Sequence, residues 1–161
     1  MSFEVNPVSR AARCSLAVLL VAAAAKIAAA TGSEGFLENY DPILLLKNRW
    51  VNIAVAVVEI ACAAALTMRL PYVIKGFTLL WLGLNFVAYR LVSLLSGVET
   101  PCSCLGNIGS WVGLTQDQTE ALGIGLLLYL LGAGTYFVIA GSQTPNLSSL
   151  SHENRAVHAD A

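Results

Sequence analysis

The chemistry most legible in this chain lies in Pro101-Cys102-Ser103-Cys104-Leu105-Gly106. Two thiols one residue apart close a small disulfide ring that departs from the preferred dihedral, and strained, exposed disulfides are the exchangeable ones. Ser103 is small, Pro101 stiffens the entry and Gly106 permits a tight exit turn. A thiolate here can attack a partner's disulfide while the second sulfur resolves the mixed intermediate. The plainer alternative is a local structural bridge, or two inert thiols. Zinc fits less well, because four ligands are needed and His152 and His158 lie far along the chain in a polar tail.

A second set of residues, Lys26, Glu59 and Arg90, carries charge inside apolar sequence. Each such group costs at least about 2.5–3.5 kcal/mol to insert into hydrocarbon, so it normally faces a bundle interior and pairs. One carboxylate between two cations can satisfy both, with Tyr89 and Asn85 as extensions of the network. As a packing clasp, the set fixes helix contacts, with a cation snorkelling to the headgroups. As a functional cluster, it lowers a cysteine pKa, relays protons or holds a quinone headgroup. Cys14 and Cys62 read mainly as small hydrophobes, the usual behaviour of buried free cysteine, with an inner redox pair as the alternative.

The elements that position these groups follow from composition. Of 161 residues, 57% are hydrophobic and only 12% are charged, against about 45–50% and 25% in soluble domains. A water-soluble core of this length could not hide so much apolar sequence. The net charge of −1 gives no sign of a nucleic-acid partner. Four segments suffice to cross a bilayer: about Cys14–Ala30, Trp50–Met68, Tyr72–Leu95 and Glu120–Ala140. They are apolar all round and rich in Ala and Gly, including Ala22–Ala25, Gly132 and Gly134, which permits close packing in lipid.

The predicted architecture is therefore all-α, an integral membrane four-helix bundle. Residues 1–13 form a cytoplasmic N-terminus and 14–141 the membrane domain, with the cysteine loop at 97–119. A disordered polar tail follows over 142–161. Arg69-Leu70-Pro71 reads as a tight reversal pairing the second and third helices as an antiparallel hairpin. Pro42 with Ile43–Leu46 reads as a short interfacial helix. Thr115 and Gln118 have capping-box spacing for the fourth helix.

Basic residues set the orientation. Arg10, Arg13, Arg69, Lys75 and Arg155 fall on one side, with only Lys47 and Arg49 on the other among Glu34, Glu38 and Asp41. Both termini are then cytoplasmic, and the cysteines face the side where disulfides persist. Arg10, Arg13 and Ala28-Ala29-Ala30 also suggest a cleavable secretory signal. Lys26 within the run and the length of the run favour a retained helix.

Lys26, Glu59, the Tyr89-Arg90 pair and the Cys102-x-Cys104-Leu105-Gly106 loop together resemble the MauE family, DoxX-like four-helix membrane proteins named for methylamine utilisation. The resemblance spans about residues 12–141. Ser103 and Leu105 replace the Gly and Phe common in the family motif. The resemblance implies a component that forms or maintains disulfides of the periplasmic methylamine dehydrogenase small subunit alongside a thioredoxin-like partner. It casts Cys102 and Cys104 as the exchanging pair.

The sequence reading is thus a multi-pass bacterial inner-membrane protein in periplasmic thiol–disulfide exchange, whether or not it is itself an enzyme. Its partners are a thioredoxin-like protein or a disulfide-bearing client. No motif specifies a cofactor, and quinone is the one the charged cluster leaves open. The alternative is a non-enzymatic DoxX-like scaffold with a structural Cys102–Cys104 bridge.

Overall fold

The computed structural model describes residues 7–32, 35–97, 113 and 115–143. The cysteine loop, with Pro101, Cys102, Cys104, Gly106 and Trp111, lies outside the described residues, as does the tail from 144 onward.

Four helices make up the described chain: α1 Pro7–Thr31, α2 Asn48–Thr67, α3 Tyr72–Leu95 and α4 Gln116–Ser142. No strand is found among the described residues, and all four helices are long and apolar enough to cross a membrane. The protein is an all-α membrane four-helix bundle. α1 begins two turns before Cys14, with Pro7 at its first position, where a missing N–H costs nothing. Thr115 caps α4: its hydroxyl accepts from the Gln118 N–H at 3.3 Å, and the Gln118 side chain accepts from the Thr115 N–H at 3.1 Å. This is the capping box anticipated from spacing.

The bundle is built as two tightly packed pairs, α1 with α2 and α3 with α4. On α1, Ala22, Ala23, Ala25, Ala29 and Ala30 are buried, as are Ala56 and Ala63 on α2, against which α1 packs. The α3–α4 seam uses glycine. A Cβ on Gly76 would lie 2.7 Å from the Gly134 carbonyl oxygen, so the two backbones touch there and any larger residue would part the helices. Gly83 and Gly141 repeat the pattern one heptad further along each helix. Leu19, Leu79, Leu130 and Phe137 are fully buried where the pairs meet. Ser15 and Tyr129, 3.1 Å apart, join α1 to α4. Leu20, Val57, Leu84 and Leu128 are exposed and face the lipid.

Two connectors differ from their sequence reading. The link from α2 to α3 is as short as anticipated, and Lys75 closes it by donating to the Leu66 carbonyl at 2.7 Å, a favourable place for a cation. Yet α2 and α3 share only a small interface, because α3 is committed by its glycines to α4. The 35–47 connector holds a 3₁₀ turn at Gly35–Glu38 and, over Pro42–Leu44, a turn instead of an interfacial helix. A backbone bridge between Tyr40 and Lys47 closes it, with the Asp41 N–H donating to the Leu46 carbonyl at 2.7 Å. Leu45 takes a left-handed φ of 55° to make the reversal.

Candidate functional site

The helix ends meeting at one end of the bundle are the C-termini of α1 and α3 and the N-termini of α2 and α4. The segment bearing Cys102 and Cys104 leaves the described chain after Gly97, past α3, and returns before α4 at this same end. Lys26, Asn85, Tyr89 and Arg90 lie toward it, and Glu59 sits near the middle of α2.

Lys26 Nζ donates to Glu59 Oε1 at 2.7 Å, and both side chains are 1% exposed. The charges sit where α1 and α2 press together through alanine, so small neighbours let a long lysine lie flat between helices. Desolvating two ions is costly, and their attraction offsets that cost only with good geometry. Here the direct hydrogen bond supplies it, and the Phe86 ring lies 5.8 Å from the ammonium. Glu59 Oε2 has no hydrogen-bond partner among the described residues. If α1 were cleaved after Ala30, Glu59 would lose its cation.

Arg90 does not join this pair. It forms an ion pair with Glu120 in the first turns of α4, bridging the two helix ends that flank the cysteine segment. The three-membered cluster anticipated from sequence therefore divides in two, because Arg90 lies on α3, which packs mainly on α4 and only slightly on α2. Tyr89 also turns elsewhere: its hydroxyl donates to Asp41 Oδ2 at 2.5 Å. Asn85 donates to the Trp81 carbonyl one turn back on its own helix, at 2.7 Å.

Asp41, only 2% exposed, organises the connector above this region. Its Oδ1 accepts from the amides of Ile43 at 2.9 Å and Leu44 at 2.8 Å. Its Oδ2 takes the tyrosine, so one carboxylate pins the connector to α3. The Asp41-Pro42 step is a turn signal that could have flagged it. Beside it, the Lys47 ammonium hydrogen-bonds Glu38 at 2.8 Å. That bond, with Arg49 nearby, holds the Glu38 carboxyl below its usual range, and Glu38 in turn raises Lys47.

Because α2 and α3 diverge, a crevice of about 320 Å³ opens between them below the connector. Lys26, Asn52, Asn85 and Tyr89 are its polar residues, and its walls are otherwise apolar. Cys62 is buried in the core and Cys14 is exposed; both are free thiols. Among the described residues, no cluster of His, Cys, Asp and Glu has the makings of a metal site.

A bundle of four helices long and apolar enough to cross a membrane, with an ion pair buried between two of them, is a multi-pass integral membrane protein. Residues 6–141 match the family model described as Methylamine utilisation protein MauE, and the chain belongs to that family. Membership supports a membrane protein of methylamine utilisation. No curated protein and no solved structure matches it.

Proposed function

We propose that this chain is the membrane component of a thiol–disulfide exchange pathway on the periplasmic side of a bacterial inner membrane, with Cys102 and Cys104 as the exchanging pair. The Cys-x-Cys motif between turn-forming Pro101 and Gly106 carries the reading. A thiolate of the pair attacks one sulfur of a partner's disulfide, making a mixed S–S bond and releasing a partner thiolate. The other cysteine then attacks the mixed bond, leaving a Cys102–Cys104 disulfide and a reduced partner. Run backwards, the same two steps oxidise a partner dithiol, and neither direction needs a further oxidant.

The fold supports this with a rigid base. Arg90–Glu120 and Tyr89–Asp41 fix the helix ends next to the cysteine segment, and anchored loops hold reacting groups more steadily than free ones. Basic residues support the sidedness: Arg10, Arg13, Arg69 and Lys75 gather toward the opposite end, which is then cytoplasmic. The partner is a thioredoxin-like protein or a disulfide-bearing client, and the family's name makes a methylamine-oxidising enzyme the first client to test.

Trapping decides the matter. Cys104→Ser or Cys102→Ser in cells should accumulate a reductant-sensitive adduct on non-reducing gels, and a membrane-impermeant maleimide should reach the remaining thiol from outside. Absence of an adduct from both variants, with labelling from the cytosolic side alone, overturns the proposal. The buried Lys26–Glu59 clasp serves a non-enzymatic scaffold equally well. A Cys102–Cys104 bridge out of equilibrium with thioredoxin-like proteins would favour that reading.

A further inference from the structure

The crevice between α2 and α3 has the chemistry of a ligand site that the cysteine reaction does not require. It is bounded by Val55 and Val58 of α2 and by Leu82 of α3, with Leu44 of the connector above. Ala54 and Trp81, both exposed to the lipid side, form its lip, so a ligand would enter sideways from the bilayer. Trp81, Phe86 and Tyr89 present aromatic rings along one helix.

Its most telling residue is Asn52. The side chain is 4% exposed and lines the cavity, and no described residue hydrogen-bonds its amide. Its amide borders the crevice, where bilayer hydrocarbon supplies no water to bond it, so its hydrogen-bonding capacity is available to a guest. Lys26 lines the same space with N–H groups beyond the one given to Glu59. The crevice thus offers hydrogen bonds to a guest within an apolar, aromatic-walled slot.

Charge narrows the guest. Lys26 is neutralised by Glu59, and Arg90 by Glu120. The crevice therefore holds no spare cation for a phosphate or carboxylate headgroup. A neutral, flat, lipid-soluble ring with carbonyl oxygens fits, and its size suits a cavity of about 320 Å³.

We propose that this crevice binds the ring of a membrane quinone, with Asn52 and Lys26 donating to its carbonyl oxygens and Trp81 and Phe86 flanking its faces. The binding is independent of the thiols, so it stands or falls apart from the exchange reaction.

The test uses the full chain purified in detergent, with Trp50→Phe and Trp111→Phe, leaving Trp81 as reporter. A short-chain ubiquinone analogue and a prenylated naphthoquinone serve as probes. Saturable quenching of Trp81 is expected. Asn52→Leu should weaken it about tenfold, the effect of one lost hydrogen bond. Ala54→Phe, which fills the slot from its exposed lip, should abolish it, and Val57→Phe on the lipid face of the same helix should leave it intact. Elution volume and helicity by circular dichroism identify variants that fold, and Ala54→Phe stands alone if Asn52→Leu does not. Quenching that fails to saturate, or is equal in Ala54→Phe and Val57→Phe, overturns the proposal. So does native mass spectrometry showing a bound phospholipid that excess quinone does not displace.

Discussion

Lys26 and Glu59 meet at 2.7 Å between α1 and α2 with 1% of either side chain exposed. The pair makes the first two helices electrostatically dependent on each other. Removing one partner strands the other charge, which in buried pairs costs about 3–5 kcal/mol, whereas replacing both with apolar residues of similar size is often neutral or stabilising. Glu59→Leu should therefore markedly lower the thermal midpoint in detergent, and Lys26→Met with Glu59→Leu should restore it. A double variant no more stable than the single one would show that the pair is not coupled.

Tyr89→Phe removes the donor to Asp41 while keeping the ring. A hydrogen bond to a charged group contributes about 1.5–3 kcal/mol, and here it ties the connector to α3. Faster hydrogen exchange is expected at the Ile43 and Leu44 amides, which Asp41 also holds, with the helices themselves unchanged. Exchange confined to wild-type rates would place the connector's stability elsewhere.

Gly134 and Gly132 lie on one helix and differ in what surrounds them. A Cβ on Gly134 would come within 2.8 Å of Leu80 and 3.0 Å of the Gly76 carbonyl, while Gly132 has open space. Gly134→Ala should destabilise by about 1–3 kcal/mol through overpacking. Gly132→Ala should stabilise slightly, since alanine is the better helix former. Chemical unfolding of the two variants side by side measures the contrast.

The Glu38–Lys47 pair lies outside the spans and is exposed, so its effect is small and screened by salt. The folded-state pKa of Glu38 is depressed, so its contribution is present at neutral pH and fades as pH falls through the acidic range. Lys47 is raised, so its contribution persists at neutral pH and is lost only as pH climbs above the usual lysine range. Limited proteolysis of the connector should accelerate on acidification in wild type, and Glu38→Gln should flatten that response.

Much of this architecture is a local property of the chain. Four runs of apolar residues of bilayer length dictate four helices wherever they pack, and the Tyr72–Leu95 span agrees at both ends. Thr115 and Gln118 cap α4 because a capping box needs only four consecutive residues. Asp41, by contrast, looked like one more acid in a loop; its partners are two nearby amides and a tyrosine 48 positions away.

Sequence alone determined that Lys26, Glu59 and Arg90 must be paired, since hydrocarbon gives a lone charge no solvation. Only the tertiary structure decided the pairing. Depth along a helix can be counted, but the direction a side chain faces depends on how each helix is rotated against its neighbours. Gly76 and Gly134 draw α3 onto α4 and send Arg90 to Glu120, while alanines draw α1 onto α2 and give Glu59 to Lys26. The crevice beside Asn52 is the space those two choices leave between the pairs.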